Sequence, residues 1–131
     1  MYIKTFDDWN NTKKRIHKEK RGAHVRDGEI RWASIGINIG SEIDGKGNSS
    51  TRPVLIIGVV GSILALVVPL STKLKKRTGY FIMDWKGDRV AFCIHQTRVI
   101  SQRRILHHMG RMSQKKLSIV KNQIVAFFNL Q

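Results

Sequence analysis

From Val54 to Leu70 the chain reads VLIIGVVGSILALVVPL, 17 residues without a charge between Arg52 and Lys73. A segment this apolar has to leave water, either across a membrane or inside a core. A membrane-spanning helix needs about 20 such residues. Eight of the fifteen positions from Val54 to Val68 are Val or Ile, a strand preference that follows from branching at Cβ. Gly61-Ser62 falls near the middle, where a two-residue turn divides the run into halves. Periodicity alone does not separate a buried helix from buried strands. Length, break and composition together favour two buried strands joined by a tight hairpin.

Around that hairpin the remaining signals are those of a small α+β, mostly β chain. Its 131 residues allow one domain, or a core of roughly 90 residues plus an extension. Asp7-Asp8 is placed to cap a helix carrying Trp9, Thr12 and Ile16 at helical spacing, with KKRIHKEKR on its other face. That helix is expected to dissolve near Gly22. Gly28 to Ile39 alternates as a strand, with Ile30, Trp32 and Ser34 on one side. Gly40 to Thr51 is a loop by composition, and Lys73 to Thr78 is a basic turn. Tyr80 to Trp85 and Arg89 to His95 form a second hairpin around Lys86-Gly87-Asp88. Ser113 caps a closing helix with Leu117, Val120, Ile124 and Phe127 on one stripe. Strands in sequence followed by a helix predict a small curled antiparallel sheet or barrel.

Charge narrows the partners. Lys and Arg number 24 against 9 Asp and Glu, a formal net charge of +15, which favours nucleic acid, an acidic protein or an anionic membrane surface as partner. No acidic residue follows Asp88, although eight basic ones do. The single cysteine, Cys93, forms no intrachain disulfide and fits a reducing cytoplasm. Met1 to Arg26 is polar and lacks the apolar core of a signal peptide.

Residues able to do chemistry are few. The five histidines show no metal-ligand spacing with cysteine or carboxylate, and no phosphate-binding glycine loop is present. No metal and no cofactor is therefore expected. Cys93, in an apolar strand, reads as a buried structural thiol. Glu42 and Asp44 share a loop and could hold a divalent cation, although such loop carboxylates are commonly just solvated. What remains is Arg52 with Ser71 and Thr72, at the outer ends of the apolar hairpin. Antiparallel pairing puts those ends side by side, near Lys46, Lys73, Lys75, Lys76 and Arg77. Such a set suits a phosphodiester, with bidentate contacts from the guanidinium and hydroxyls on the other oxygens. On spacing alone, an arginine at a strand start beside an ordinary polar turn is the favoured account.

Four pieces in order carry a resemblance. They are Gly28-Glu29-Ile30 with Trp32, Gly40-Ser41-Glu42, Arg52-Pro53 with its apolar strand, and Pro69-Leu70-Ser71-Thr72 followed by Gln96-Thr97-Arg98. In that order they resemble the PemK/MazF toxins of type II toxin–antitoxin systems, over residues 28–131. Residues 1–27 fall outside as a basic helical extension, which longer members also carry. The resemblance implies a curled sheet shared with CcdB toxins, a homodimer, cytoplasmic location and cleavage of single-stranded RNA without a metal. It also implies an acidic antitoxin competing for the RNA groove.

In that chemistry the ribose 2′-OH attacks the adjacent phosphorus. Arg52 is expected to stabilise the phosphorane, and Ser71 or Thr72 to hold a phosphate oxygen. Glu42 is a candidate base or support for Arg52. Trp32 is a candidate to stack a base, a place in the core being an equal reading, and Arg31, Gln96, Arg98 and the lysines are candidate substrate contacts. The chain departs from the family in three places. Ser71 stands where threonine is usual, Arg31 where an apolar residue is common, and the loop Asp44 to Thr51 is long. Rival readings are a CcdB-like inhibitor of DNA gyrase that cuts nothing, a noncatalytic nucleic-acid-binding domain, and a membrane-anchored basic protein.

Overall fold

A computed structural model describes residues 2–19 and 24–130. Its elements run α1 (Phe6–Lys18), β1 (Glu29–Ser34), β2 (Thr51–Val60), β3 (Leu64–Ser71), β4 (Tyr80–Trp85) and β5 (Asp88–Cys93). They continue as β6 (Arg98–Ser101), β7 (Ile105–Arg111) and α2 (Gln114–Phe128). The apolar run is a hairpin, with Val54 opposite Pro69 and Val60 opposite Leu64. No helix among the described residues is long and apolar enough to cross a membrane.

The hairpin differs from expectation at its tip. A bulge at Ile57 moves the register by one residue, so that Ile56 faces Val67 but Gly58 faces Leu66. Without that extra residue, Val60 would face Ile63 across the two-residue turn the sequence predicts. With it, the loop lengthens to Gly61-Ser62-Ile63, Gly61 adopts a φ of +55°, and Ile63 N–H closes the turn on the Val60 carbonyl. Burial also thins toward the tip, where Ala65 alone stays in the core. The pairing with β1 reaches only Leu55, so the last residues of β2 have β3 alone beside them. Val59, Val60 and Ile63 are accordingly exposed.

All pairings are antiparallel, in the order β4-β5-β3-β2-β1-β7, with β6 added to β3. Strand β3 is shared, Leu64 to Val67 pairing with β6 and Leu70-Ser71 with β5. That fork curls the sheet without closing it, so of the two expected forms the curled sheet is the one adopted. Adjacent residues feed opposite faces. Ile30, Leu55, Val68 and Phe92 pack with Leu117, Val120 and Ile124 of α2. Val54, Ile56 and Val67 pack instead with Ala33, Ile100 and Ile105 inside the curl. Burial on both faces is why the hairpin reads as one continuous apolar run instead of alternating.

Several boundaries shift for local reasons. The first strand ends at Ser34 instead of reaching Ile39, because Ile35 and Gly36 turn their N–H groups to the Ser50 carbonyl. Gly36 has a φ of +91°, and a Cβ there would come within 2.3 Å of the Trp9 ring. Beyond Cys93 the chain tightens into a 3-10 turn, Ile94–Gln96. Asp7 and Asp8 lie in the first turn of α1, whose cap position is Thr5. Trp9 and Ile16 are buried against Ile37, while Thr12 bonds back to the Asp8 carbonyl. The expected end of that helix near Gly22 lies outside the described residues. Ser113 caps α2 by accepting the Lys116 N–H at 3.2 Å. Leu117, Val120 and Ile124 are buried on its stripe, but Phe127 is 40% exposed.

Candidate active site

The bottom of the hairpin opens a groove of about 1060 Å³. Arg52 and Pro53 from the start of β2 line it together with Leu70, Ser71 and Thr72 from the end of β3. Trp32 of β1 and Lys46 of the following loop complete one wall. The opposite wall is the β4–β5 turn, with Trp85, Lys86, Asp88 and Arg89, and Met109 of β7. The sequence missed this second wall. Its signal was the Lys86-Gly87 turn between two strands, which the sheet's curl brings over the hairpin.

Arg52 is held by backbone. Its Nε donates to the Asp44 carbonyl at 2.9 Å and one Nη to the Leu70 carbonyl at 3.2 Å. Its other N–H groups meet no acceptor among the described residues. Burial pushes the guanidinium below its ordinary pKa, against the opposing pull of Cys93 and Asp44, yet arginine stays charged at any physiological pH. A cation fixed by neutral carbonyls keeps its charge for an incoming anion. Ser71 is half-buried at the end of β3, opposite Ala91, and its Oγ accepts the Lys73 N–H at 3.1 Å. The Ser71 O–H is thereby left as a donor. Thr72 is exposed just beyond the strand.

The other expected residues divide. Lys73, Lys75, Lys76 and Arg77 are exposed on the segment after β3, whose Leu74 also lines the groove, with Lys75 over the Tyr80 ring at 5.8 Å. Trp32 lies 6.1 Å from His107, ring centre to ring centre. Arg31 is directed elsewhere, to the Leu106 carbonyl at 2.9 Å and Glu29 at 3.6 Å. Glu42, Gln96 and Arg98 line a separate depression. There Glu42 accepts the Ile39 N–H, while Gln96 takes the Ile43 N–H and donates to the Ser41 carbonyl. These two side chains shape the loop that presents Asp44 to Arg52. The Asp44 carboxylate is itself engaged by the Asn38 N–H, the Tyr2 hydroxyl and Lys4, contacts that fix its loop and leave it ill-placed as a cation ligand. Cys93 is fully buried, and burial raises its thiol to about 11.

This curled sheet with a helix across one face is the fold of the MazF toxins. MazF from Deinococcus radiodurans superposes with a TM-score of 0.63 at 19% identity, covering 82% of this chain and all of that one. The Mycobacterium tuberculosis toxin MazF-mt6 gives 0.59 at 15% identity, covering 79% of this chain and 98% of that one. A mycobacterial endoribonuclease in complex with its cognate antitoxin gives 0.58 at 10% identity, covering 82% and 97%. Identities this low speak for fold alone. Comparison with curated proteins gives no match. The family is shown by a sequence model, that of the PemK-like, MazF-like toxin of type II toxin-antitoxin system, which matches residues 26–128. The chain belongs to that family.

Proposed function

We propose that this toxin is a metal-independent endoribonuclease that cuts single-stranded RNA as a homodimer and is restrained by an acidic antitoxin. The observation that carries the reading is Arg52, charged, half-buried and anchored by two carbonyls beside the Ser71 hydroxyl. Cleavage proceeds by attack of the ribose 2′-oxygen on the adjacent phosphorus. The P–O5′ bond breaks, leaving a cyclic phosphate and a 5′-OH end. The 2′-OH proton passes to a water molecule and O5′ takes one up from solvent, so that no net proton is consumed. Arg52 opposes the charge that builds on the phosphorane, a contribution that donors fixed in advance make best. Ser71, with Thr72 beside it, donates to a non-bridging oxygen. Trp32 and Trp85 offer stacking surfaces for unpaired bases. Glu42 serves the loop instead of the reacting atoms, since it lines a different depression.

Metal independence is supported by the residues present. Among those lining the groove Asp88 is the sole carboxylate, and no group of three His, Cys, Asp or Glu residues able to hold a metal ion occurs among the described residues. Metal-assisted phosphoryl transfer places its cation on one or two carboxylates together with the substrate phosphates, and a lone Asp88 on the turn opposite Arg52 is a poor start for such a site. The exposed apolar tip of Val59, Val60, Ile63 and Val99 supports a self-association surface. A MazE-MazF complex from Deinococcus radiodurans has this fold, with a TM-score of 0.59. The positive charge around the groove suits an acidic segment of such a partner.

Incubating the purified chain with a long single-stranded RNA, and separately with DNA gyrase, discriminates between the catalytic and CcdB-like readings. We expect discrete RNA fragments and unaffected supercoiling. Gyrase inhibition with intact RNA would overturn the reading.

A further inference from the structure

A second cationic recess lies where α1 meets the β6–β7 turn. It is a notch of about 120 Å³ with Trp9 and Ile16 as apolar wall. Its polar lining is Lys13 and His17 from α1 and Ser101, Arg103 and Arg104 from the turn. No carboxylate lines it, and no ion pair involving Lys13, His17, Arg103 or Arg104 occurs among the described residues. The fold holds the two arginines by other means. One Nη of Arg103 donates to the His17 carbonyl. Arg104 donates to the Ser34 and Ile35 carbonyls at 3.3 Å and lies 5.5 Å over the Trp9 ring. Ser101 Oγ accepts the Arg103 N–H, which leaves its O–H as a donor. Burial pushes the Arg104 guanidinium below its ordinary pKa, and nearby Arg98 pushes it further the same way.

We propose that this notch is an anion subsite that takes a phosphate group of RNA outside the groove, with Lys13, Arg103 and the Ser101 hydroxyl as its donors. Like charges gathered in one recess repel each other, and a bound anion of matching size relieves that repulsion. Fork-shaped guanidinium groups beside a hydroxyl are the donor set that a phosphate takes. The proposal rests on the groove being the RNA site, and it concerns the length of RNA held. The helix that supplies half the notch precedes the family match, which begins at residue 26. Substrate footprint is thus extended by this chain's own N-terminal helix.

Lys13 is the position to vary, because its side chain makes no hydrogen bond or ion pair among the described residues and its loss leaves α1 docked through Trp9 and Ile16. Binding is measured for a short oligonucleotide that fills the groove alone and for a long RNA, over a salt series. Lys13→Glu should weaken the long RNA about tenfold at low salt and lower the magnitude of its log–log salt slope by about 0.7. The short oligonucleotide should bind unchanged, and Lys13→Arg should restore the long one. Equal loss for both RNAs, or none for either, overturns the proposal. Inorganic phosphate, followed by the fluorescence of Trp9 in a chain whose Trp32 and Trp85 are replaced by Phe, reads the notch without RNA. A saturable change abolished by Lys13→Glu is expected. Its absence overturns the subsite. Phosphate binding at the notch in a protein that binds neither RNA would instead show that the groove reading has failed, and with it the RNA assignment of the notch.

Discussion

One Nη of Arg52 donates to the carbonyl of Leu70 across 3.2 Å, so the guanidinium at the head of β2 is tied to the residue just before Ser71. The same side chain reaches the Asp44 carbonyl. Strand, loop and neighbouring strand therefore meet on one cation, and the position of that cation fixes the position of any phosphate it holds.

Removing the cation should separate activity from folding. Arg52→Ala is expected to lower RNA cleavage by roughly 10²–10³-fold, the range for loss of one preorganised charge-stabilising group. It should also cost about 1–3 kcal/mol of stability through two carbonyls left without a donor. Arg52→Lys should recover little, since an ammonium lacks the planar fork that reaches both carbonyls. Cleavage assays beside thermal denaturation check both parts, and near-normal cutting by Arg52→Ala would move the active site elsewhere.

The two hydroxyls should not be equivalent. Ser71 belongs to β3 and is paired with Ala91, whereas Thr72 is exposed past the strand end. Ser71→Ala is expected to reduce kcat more than Thr72→Ala, and Ser71→Thr to keep activity. The opposite order in single-turnover kinetics would assign the phosphate contact to Thr72.

What the sequence disclosed, and what it hid, follows from the range of each signal. The hairpin from Val54 to Leu70 was legible because β-branched residues and a central Gly-Ser are local features. Its register implied that Arg52 and Ser71 share one end. The bulge at Ile57 was not legible, since Ile57 is apolar like its neighbours and only three-dimensional pairing marks the extra residue. Strands β6 and β7 carried no clear alternation, because their edges are set by contacts with β3 and β1. Trp85, Lys86 and Arg89 join the groove only through the fork of β3 between β5 and β6. Arg31 and Glu42 looked suited to the site by type and order, but side-chain direction took one to the Leu106 carbonyl and the other to the Ile39 N–H.

Cys93 supplies a test of the buried side of the site. Burial lifts its thiol from an ordinary 9.0 to about 11. In the folded chain the thiol therefore keeps its proton where the unfolded chain has lost it. Its contribution to stability is fully present below pH 9.0, and is lost as pH rises toward about 11. Alkylation by iodoacetamide at pH 8 should be slow in the native protein and rapid in denaturant. Replacing Cys93 with Ala should flatten the alkaline fall in stability. Rapid native alkylation would mean that the thiol is accessible and ionised.

The most direct measurement is cleavage of a long RNA in excess EDTA, with the ends of every fragment mapped and Arg52→Ala run alongside. Metal-independent transesterification at Arg52 predicts that the wild-type chain cuts without divalent cations, leaves 5′-OH on each downstream fragment and a cyclic phosphate upstream, and that Arg52→Ala does not. Cutting that stops in EDTA and returns with Mg²⁺, or fragments bearing 5′-phosphates, would contradict it.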